Sequence, residues 1–215
     1  MKKIILAAII TVLFINGASA QRPWNQPVHW IGVNKAIYNW IGVTGSVSAT
    51  KLIRLGGKVD DGIVFYQQIG FLVGIKYSRV INEKYVIETG LDFSRNSYNY
   101  SYINAYGNRE YSADPENIDL FTIPVGVRIN FRDFSLLTGI QYDRSVSSFN
   151  SPIVDNQEGL GIHLRVGKDF FVADRITMFV APVLIIHNVI PFYPAEDQQR
   201  MTELGIRIDI KYGFS

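Results

Sequence analysis

The chain has 215 residues, with 21 Lys or Arg against 19 Asp or Glu, 47% apolar residues and no cysteine. So even a charge balance argues against nucleic acid or another polyanion as partner. The lack of cysteine excludes a disulfide scaffold and a lipoprotein anchor.

Lys2 and Lys3 precede an apolar run from Ile4 to Ile15, and Ala18-Ser19-Ala20 follows it. A basic start, a short apolar stretch and an A-x-A site predict a signal peptide over 1–20, cleaved after Ala20. The run is shorter than the ~20 residues a helix needs to cross a bilayer. Without residues 1–20 the chain keeps 19 basic residues (21 less Lys2 and Lys3) and 19 acidic ones, a formal charge of zero. Residues 21–35 read as an N-terminal periplasmic segment and 36–215 as one domain.

Alternation of apolar and polar residues, the period of a strand with two unlike faces, predicts eight strands. The first covers roughly 36–49, with Ile41, Val43 and Val47 against Thr44, Ser46 and Ser48. The second, 69–80, sets Phe71, Val73, Ile75 and Tyr77 against Gly74, Lys76 and Ser78. The third starts at Tyr85 and sets Ile87, Thr89, Leu91 and Phe93 against Glu88, Gly90 and Asp92. The fourth, 118–131, opposes Phe121, Ile123, Val125 and Val127 to Thr122, Gly126 and Arg128. The fifth, 133–143, opposes Phe134, Leu136, Ile140 and Tyr142 to Ser135, Gly139 and Gln141. The sixth, 160–167, opposes Leu160, Ile162, Leu164 and Val166 to Gly161, His163, Arg165 and Gly167. The seventh, 176–187, is apolar on both faces. The eighth ends the chain, with Ile206, Ile208, Ile210, Tyr212 and Phe214 alternating with Arg207, Asp209 and Lys211.

The connections alternate in length. Asn82-Glu83-Lys84, Arg132-Asp133 and a link from Lys168-Asp169 to Asp174-Arg175 are short; 50–68, 95–117, 144–159 and 188–203 are long. Short turns on one side and long loops on the other are the signature of an antiparallel up-and-down transmembrane β-barrel, and eight is the even number expected. A further hairpin within 27–40 would make ten. Tyr98, Tyr100 and Tyr102 break the phase of the third strand, which predicts either a β-bulge near 94–97 or inward tyrosines above the membrane.

In a membrane barrel the apolar set faces lipid; in a soluble calyx it faces an enclosed ligand. Glycines on the polar face and aromatics near strand ends favour the membrane arrangement. The polar face then puts Lys76, Glu88, Asp92, Arg128, Asp143, Arg165, Arg207, Asp209 and Lys211 inside a lumen just wide enough for side chains. Charges of both signs in so narrow a space should pair into a structural network, which predicts a plugged, non-conducting interior.

"LFTIPVGVRI" at 120–129 and "LLTGIQY" at 136–142, with the signal peptide and the eight strands, resemble the Bacteroidota-type small outer-membrane β-barrel family, often called PorT-like. Family members carry an acidic residue two before the proline; Thr122 stands there in this chain. The resemblance implies an outer-membrane location in a Gram-negative bacterium and supplies no catalytic residues. Pro124 itself lacks a ladder donor, so a bulge, a water or an interior side chain should satisfy the carbonyl opposite.

Chemistry finds little purchase. There is no G-x-S-x-G, the histidines are His29, His163 and His187, and no His pair has ligand spacing. No metal and no cofactor is expected, and Asp60-Asp61-Gly62 reads as a turn. The stretch 96–111 concentrates Tyr98, Tyr100, Tyr102, Tyr106 and Tyr111 among Asn, Ser and Gly, the composition of an adaptable binding loop, or a strand extension with an upper aromatic girdle. Three functions follow. The first is a non-enzymatic barrel, structural or acting through its four long loops in surface adhesion or a secretion assembly, with outer-membrane lipid and other envelope or secretion proteins as partners. The second is a small lipid-modifying enzyme built around His163. The third is a soluble periplasmic calyx for an apolar ligand.

Overall fold

The computed structural model describes residues 39–54, 64–66, 68–103, 106–111, 116–131, 134–146, 156–193 and 199–214. The predicted signal peptide, the segment 21–35, residues 27–38 of the proposed extra hairpin and the Arg132-Asp133 turn lie outside them.

Eight long strands form one antiparallel ring: β1 (Asn39–Arg54), β3 (Gln68–Val80), β4 (Tyr85–Ile103), β6 (Glu116–Asn130), β7 (Ser135–Ser145), β8 (Gly159–Ala173), β9 (Ile176–Pro191) and β10 (Gln199–Phe214). Neighbours in sequence pair with each other, and β1 pairs with β10 from Asn39↔Phe214 to Arg54↔Gln199, which closes the cylinder. Two short strands, β2 (Val64–Tyr66) and β5 (Arg109–Tyr111), pair with the far end of β4.

The alternation resolves as an inversion. Ile41, Val43 and Val47 on β1, Val73 and Ile75 on β3, and Ile208 and Ile210 on β10 are all exposed, whereas Thr44, Ser46, Lys76, Arg207, Asp209 and Lys211 between them are buried. Water would make that arrangement prohibitive, and hydrocarbon makes it favourable. The calyx arrangement, with the apolar set enclosed, is not the one these strands adopt. On β4 the outward set is apolar or hydroxylic from Tyr85 to Phe93 and turns ionic at Arg95. At ~3.3 Å per residue and a tilt of ~40° that stretch spans about 20 Å of the axis, close to the height of a lipid-facing band.

Several expectations need correction. Strands extend further than alternation indicates, β1 to Arg54, β4 to Ile103 and β8 to Ala173. Lys168 and Asp169 therefore belong to β8, and the turn into β9 is Asp174-Arg175, with Arg175 at φ +66°. No bulge occurs at 94–97: the β4–β6 register is unshifted from Tyr85↔Ile129 to Tyr98↔Glu116. The offset sits on the other side of β4, because Val64↔Ser101 and Gly70↔Asn96 span six residues on one chain segment and five on the other. Pro124 makes no bulge either. The ladder is interrupted between Thr89↔Val125 and Asp92↔Thr122, and the Thr89 hydroxyl donates to the Pro124 carbonyl at 3.0 Å. Register shifts do occur in the β8–β9 pair, between Leu160 and Ile162, beside Asn188 at φ +54°, and between Phe171 and Ala173.

Candidate functional site

Inside the ring the side chains stack in layers. The first is ionic. Glu88 on β4 receives Lys211 Nζ at 3.0 Å, Arg128 Nε at 3.3 Å and Arg165 Nη2 at 3.1 Å. Asp209 on β10 meets Arg165 Nη1 at 2.8 Å and Arg207 Nε at 3.4 Å, and also accepts from the Thr44 hydroxyl. Asp92 on β4 meets Lys76 Nζ at 2.8 Å and Arg207 Nη2 at 2.7 Å. The layer ties β1, β3, β4, β6, β8 and β10 across the lumen. All of these groups have given up hydration, so each carboxylate collects more than one cation.

Glycine makes the room. A Cβ on Gly74 would lie 2.1 Å from Asp92 Oδ1, and one on Gly90 would lie 2.8 Å from Lys76 Cδ. Here glycine is a matter of space: Asp92 and Lys76 lean over the bare backbone of their ladder partners on the adjoining strand.

The second layer centres on His187 of β9. Its Nδ1 is 2.9 Å from Asp143 Oδ2 and its Nε2 is 2.9 Å from Glu203 Oε1. Each ring nitrogen therefore faces a carboxylate oxygen, an arrangement that suits a ring donating from both sides. Asp143 also accepts from Thr122 Oγ1 at 2.7 Å and Gln141 Nε2 at 2.8 Å. Glu203 accepts from Asn96 Nδ2 at 2.8 Å and Ser48 Oγ at 2.9 Å. Above this lies an apolar lid of Leu52, Tyr98, Ile118, Leu120 and Met201.

All nine charges expected inside are buried, and eight of them form the ionic layer; Asp143 belongs to the histidine layer. Three participants were missed. Asp169, assigned to a turn, pairs with Arg128 at 3.1 Å because β8 continues past it. His187 went unrecognised because 176–187 reads as apolar on both faces, and Glu203 because 188–203 reads as a connection; the adjacent polar pair His187-Asn188 in an apolar run was the available signal. Phe179, Ala181, Val183 and Ile185 also face inward on β9, so the lumen has one greasy wall. Phe179 offers its ring to Arg128 and Lys211, 5.4 and 5.1 Å from the centroid.

His163 does not form the network the enzyme reading places on it. It is buried over Gly126 and Gly139, and its Nδ1 has no hydrogen-bond partner. The imidazole with acidic partners is His187, and the serine in that layer bonds Glu203. Hence neither ring is set against a serine hydroxyl as a base would be.

Beyond the lid, β2, the end of β4 and β5 form a small sheet. Tyr66 and Tyr111 stand with ring centroids 5.9 Å apart, and Tyr100 and Tyr102 6.4 Å apart. The Tyr102 hydroxyl donates to Glu110 at 2.6 Å, which raises its pKa above the ordinary phenol value. The hydrogen bond with Ser101 lowers that of Tyr66. Tyr106 and Tyr111 are exposed, but Tyr98 is buried within the lid and bonded to Glu116, so it is no part of a loop surface.

No family model matches the chain, and no curated protein matches it. Solved barrels do resemble it in structure. Ail, the attachment invasion locus protein of Yersinia pestis, aligns with TM-score 0.43 and 10% identity over 82% of this chain and 100% of that one. The outer membrane protein OprG of Pseudomonas aeruginosa aligns with TM-score 0.41 and 12% identity over 84% and 97%. The outer membrane protein AlkL, solved in lipid bilayers, aligns with TM-score 0.46 and 10% identity over 89% and 96%.

Proposed function

We propose that this chain is a non-enzymatic outer-membrane β-barrel, plugged by its own side chains, whose long connections and tyrosine-rich sheet make contacts with other envelope or secretion proteins. The inversion of polarity carries this reading: aliphatic side chains cover the outside while a paired ionic layer fills the inside. That arrangement suits a barrel in lipid, and among the described residues three side-chain layers stand in succession along the lumen, which supports a plugged interior. The resemblance of 120–129 and 136–142 to PorT-like barrels, which form adjoining β6 and β7, supports membership of that family, and the N-terminal pattern supports export with cleavage after Ala20.

The test is direct. The expressed chain should fractionate with outer membranes, begin at Gln21, and run faster on gels unheated than boiled. In planar bilayers it should give no steady conductance steps. A mature chain soluble without detergent would overturn the reading, and porin-like conductance would overturn the plug. Cross-linking in native membranes, compared between the native chain and a Tyr102→Ser/Tyr111→Ser variant, tests the loop contacts; equal capture by both would remove that sheet from the account.

A further inference from the structure

The seam between β1 and β10, where the first and last long strands close the ring, carries three outward polar side chains at one end. Lys51 lies opposite Thr202, and Arg200 follows two residues further along the same outward face. Their orientation follows from their neighbours: Leu52, Met201 and Glu203 are buried in the lumen, whereas Lys51 is exposed. Immediately below come Ala49 and Leu204, paired with each other, and then Val47 and Ile206; Leu204 and Val47 are 63% and 61% exposed. The cations therefore stand at the loop-side rim of the hydrocarbon-facing surface, with Ile53, 39% exposed, opposite Arg200.

Two further observations give the cluster a purpose. Among the described residues neither Lys51 nor Arg200 has an ion-pair partner, unlike outward Arg95 on β4, and Arg200 Nε is buried with no hydrogen-bond partner. The other end of the seam is different: its outward residues are Asn39, Ile41, Tyr212 and Phe214, none of them cationic. The seam strands' own outward cations sit on the side of the long connections; at the other end the nearest are Arg79, beside Asn39 on β3, and Arg175, which bonds the Tyr212 hydroxyl.

From this placement we infer that Lys51, Thr202 and Arg200 form a headgroup site for a phosphorylated lipid, such as lipid A, in the leaflet on the loop side. This rests on the outer-membrane reading above. The chemistry is that of phosphate recognition: a guanidinium fork, an ammonium and a hydroxyl converge on one anion, with snorkelling stems lying over the apolar band. The small Ala49 beneath Lys51 leaves space for an acyl chain against the wall. Because Lys51 and Arg200 come from opposite strands of the seam, one phosphate bridges the two ends of the barrel and stabilises its closure through binding linkage.

The full chain is reconstituted in phosphatidylcholine vesicles with or without lipid A, and the midpoint of heat-induced unfolding is read from gel mobility. Lipid A is expected to raise the midpoint by several degrees, and dephosphorylated lipid A not to raise it. Lys51→Gln with Arg200→Gln should abolish the rise without changing the midpoint in phosphatidylcholine. The charge-keeping pair Lys51→Arg with Arg200→Lys should retain it, as should Arg144→Gln, which removes a cation elsewhere on the barrel. A native chain that inserts but shows no rise, or a rise that survives Lys51→Gln with Arg200→Gln, overturns the site. Failure to insert into either vesicle overturns the membrane reading itself.

Discussion

Two arginine–carboxylate pairs from the same part of the barrel wall differ in what they do. Arg95 and Asp119 lie on the outside, joined through two hydrogen bonds of 2.8 Å, with the Arg95 side chain 47% exposed. Arg207 and Asp92 lie inside at 2.7 Å, with side-chain exposures of 5% and 1%. The outer pair is self-sufficient and can exchange its partner for water. The inner pair cannot: Asp92 also holds Lys76, and Arg207 also holds Asp209 and Thr44. The contrast teaches that ion-pair geometry says little by itself; the loss of alternatives turns a pair into a structural element.

Breaking the inner network at its hub should have the largest effect. Glu88→Ala takes from Lys211 the one carboxylate it hydrogen-bonds among the described residues, and removes one partner each from Arg128 and Arg165. An uncompensated buried charge costs about 3–5 kcal/mol. The variant should lose much of its refolding yield, and the remainder should unfold in urea at a clearly lower midpoint in detergent; Glu88→Gln should fall between it and the native chain. A midpoint equal to the native one would mean that the lumen is hydrated. Next in size is Gly74→Ala, whose methyl meets Asp92 Oδ1 at 2.1 Å and the Leu91 carbonyl at 2.5 Å. Overpacking of this kind costs about 1–3 kcal/mol, read from the same urea midpoint. The equivalent change at outward Gly45, whose Cβ would meet nothing nearer than 3.9 Å, should cost nothing measurable.

Alternation made most of this legible before any coordinates. β6 and β10 read cleanly because every second residue changes character, so phase, face and the inward positions of Arg128, Arg207 and Asp209 follow together. β9 did not read, because Phe179, Val183 and Ile185 face the lumen while Val180, Leu184 and Ile186 face outward. An apolar lumen wall erases the two-fold signal, and with it went His187. The strand extensions at β4 and β8 failed for another reason. Beyond the lipid-facing band the outward residues turn polar, so Arg95, Ser97 and Lys168 look like loop while the backbone ladder continues. Which carboxylate meets which cation was out of reach, since pairing depends on the stagger between strands across the lumen, and no local pattern encodes that.

The register shift beside Asn188 is a smaller lever. Asn188 holds φ +54° where β8 and β9 slip past each other between Leu160 and Ile162. Asparagine tolerates that backbone, whereas a β-branched residue does so at a cost of about 1–2 kcal/mol. Asn188→Gly should therefore fold nearly as well as the native chain, and Asn188→Val should unfold at a lower urea midpoint. If Asn188→Gly were as damaging as Asn188→Val, the lost Asn188 Nδ2 hydrogen bond to the Asn156 carbonyl, 3.0 Å long, would be the cause instead of the backbone.

The smallest effect belongs to the outer pair, and its smallness is the informative part. Arg95→Gln, Asp119→Asn and the double change should each leave the urea midpoint within error of the native chain, because water or lipid headgroups replace whichever partner is removed. The double-mutant coupling should be near zero at physiological salt and grow only slightly when salt is lowered. A loss approaching that of Glu88→Ala would mean that Arg95 and Asp119 sit in hydrocarbon. The apolar band on β4 and β6 would then reach beyond Phe93 by at least one outward residue. The exposed pair thus serves as a depth marker: its indifference to mutation fixes where the membrane ends on the side of the long connections.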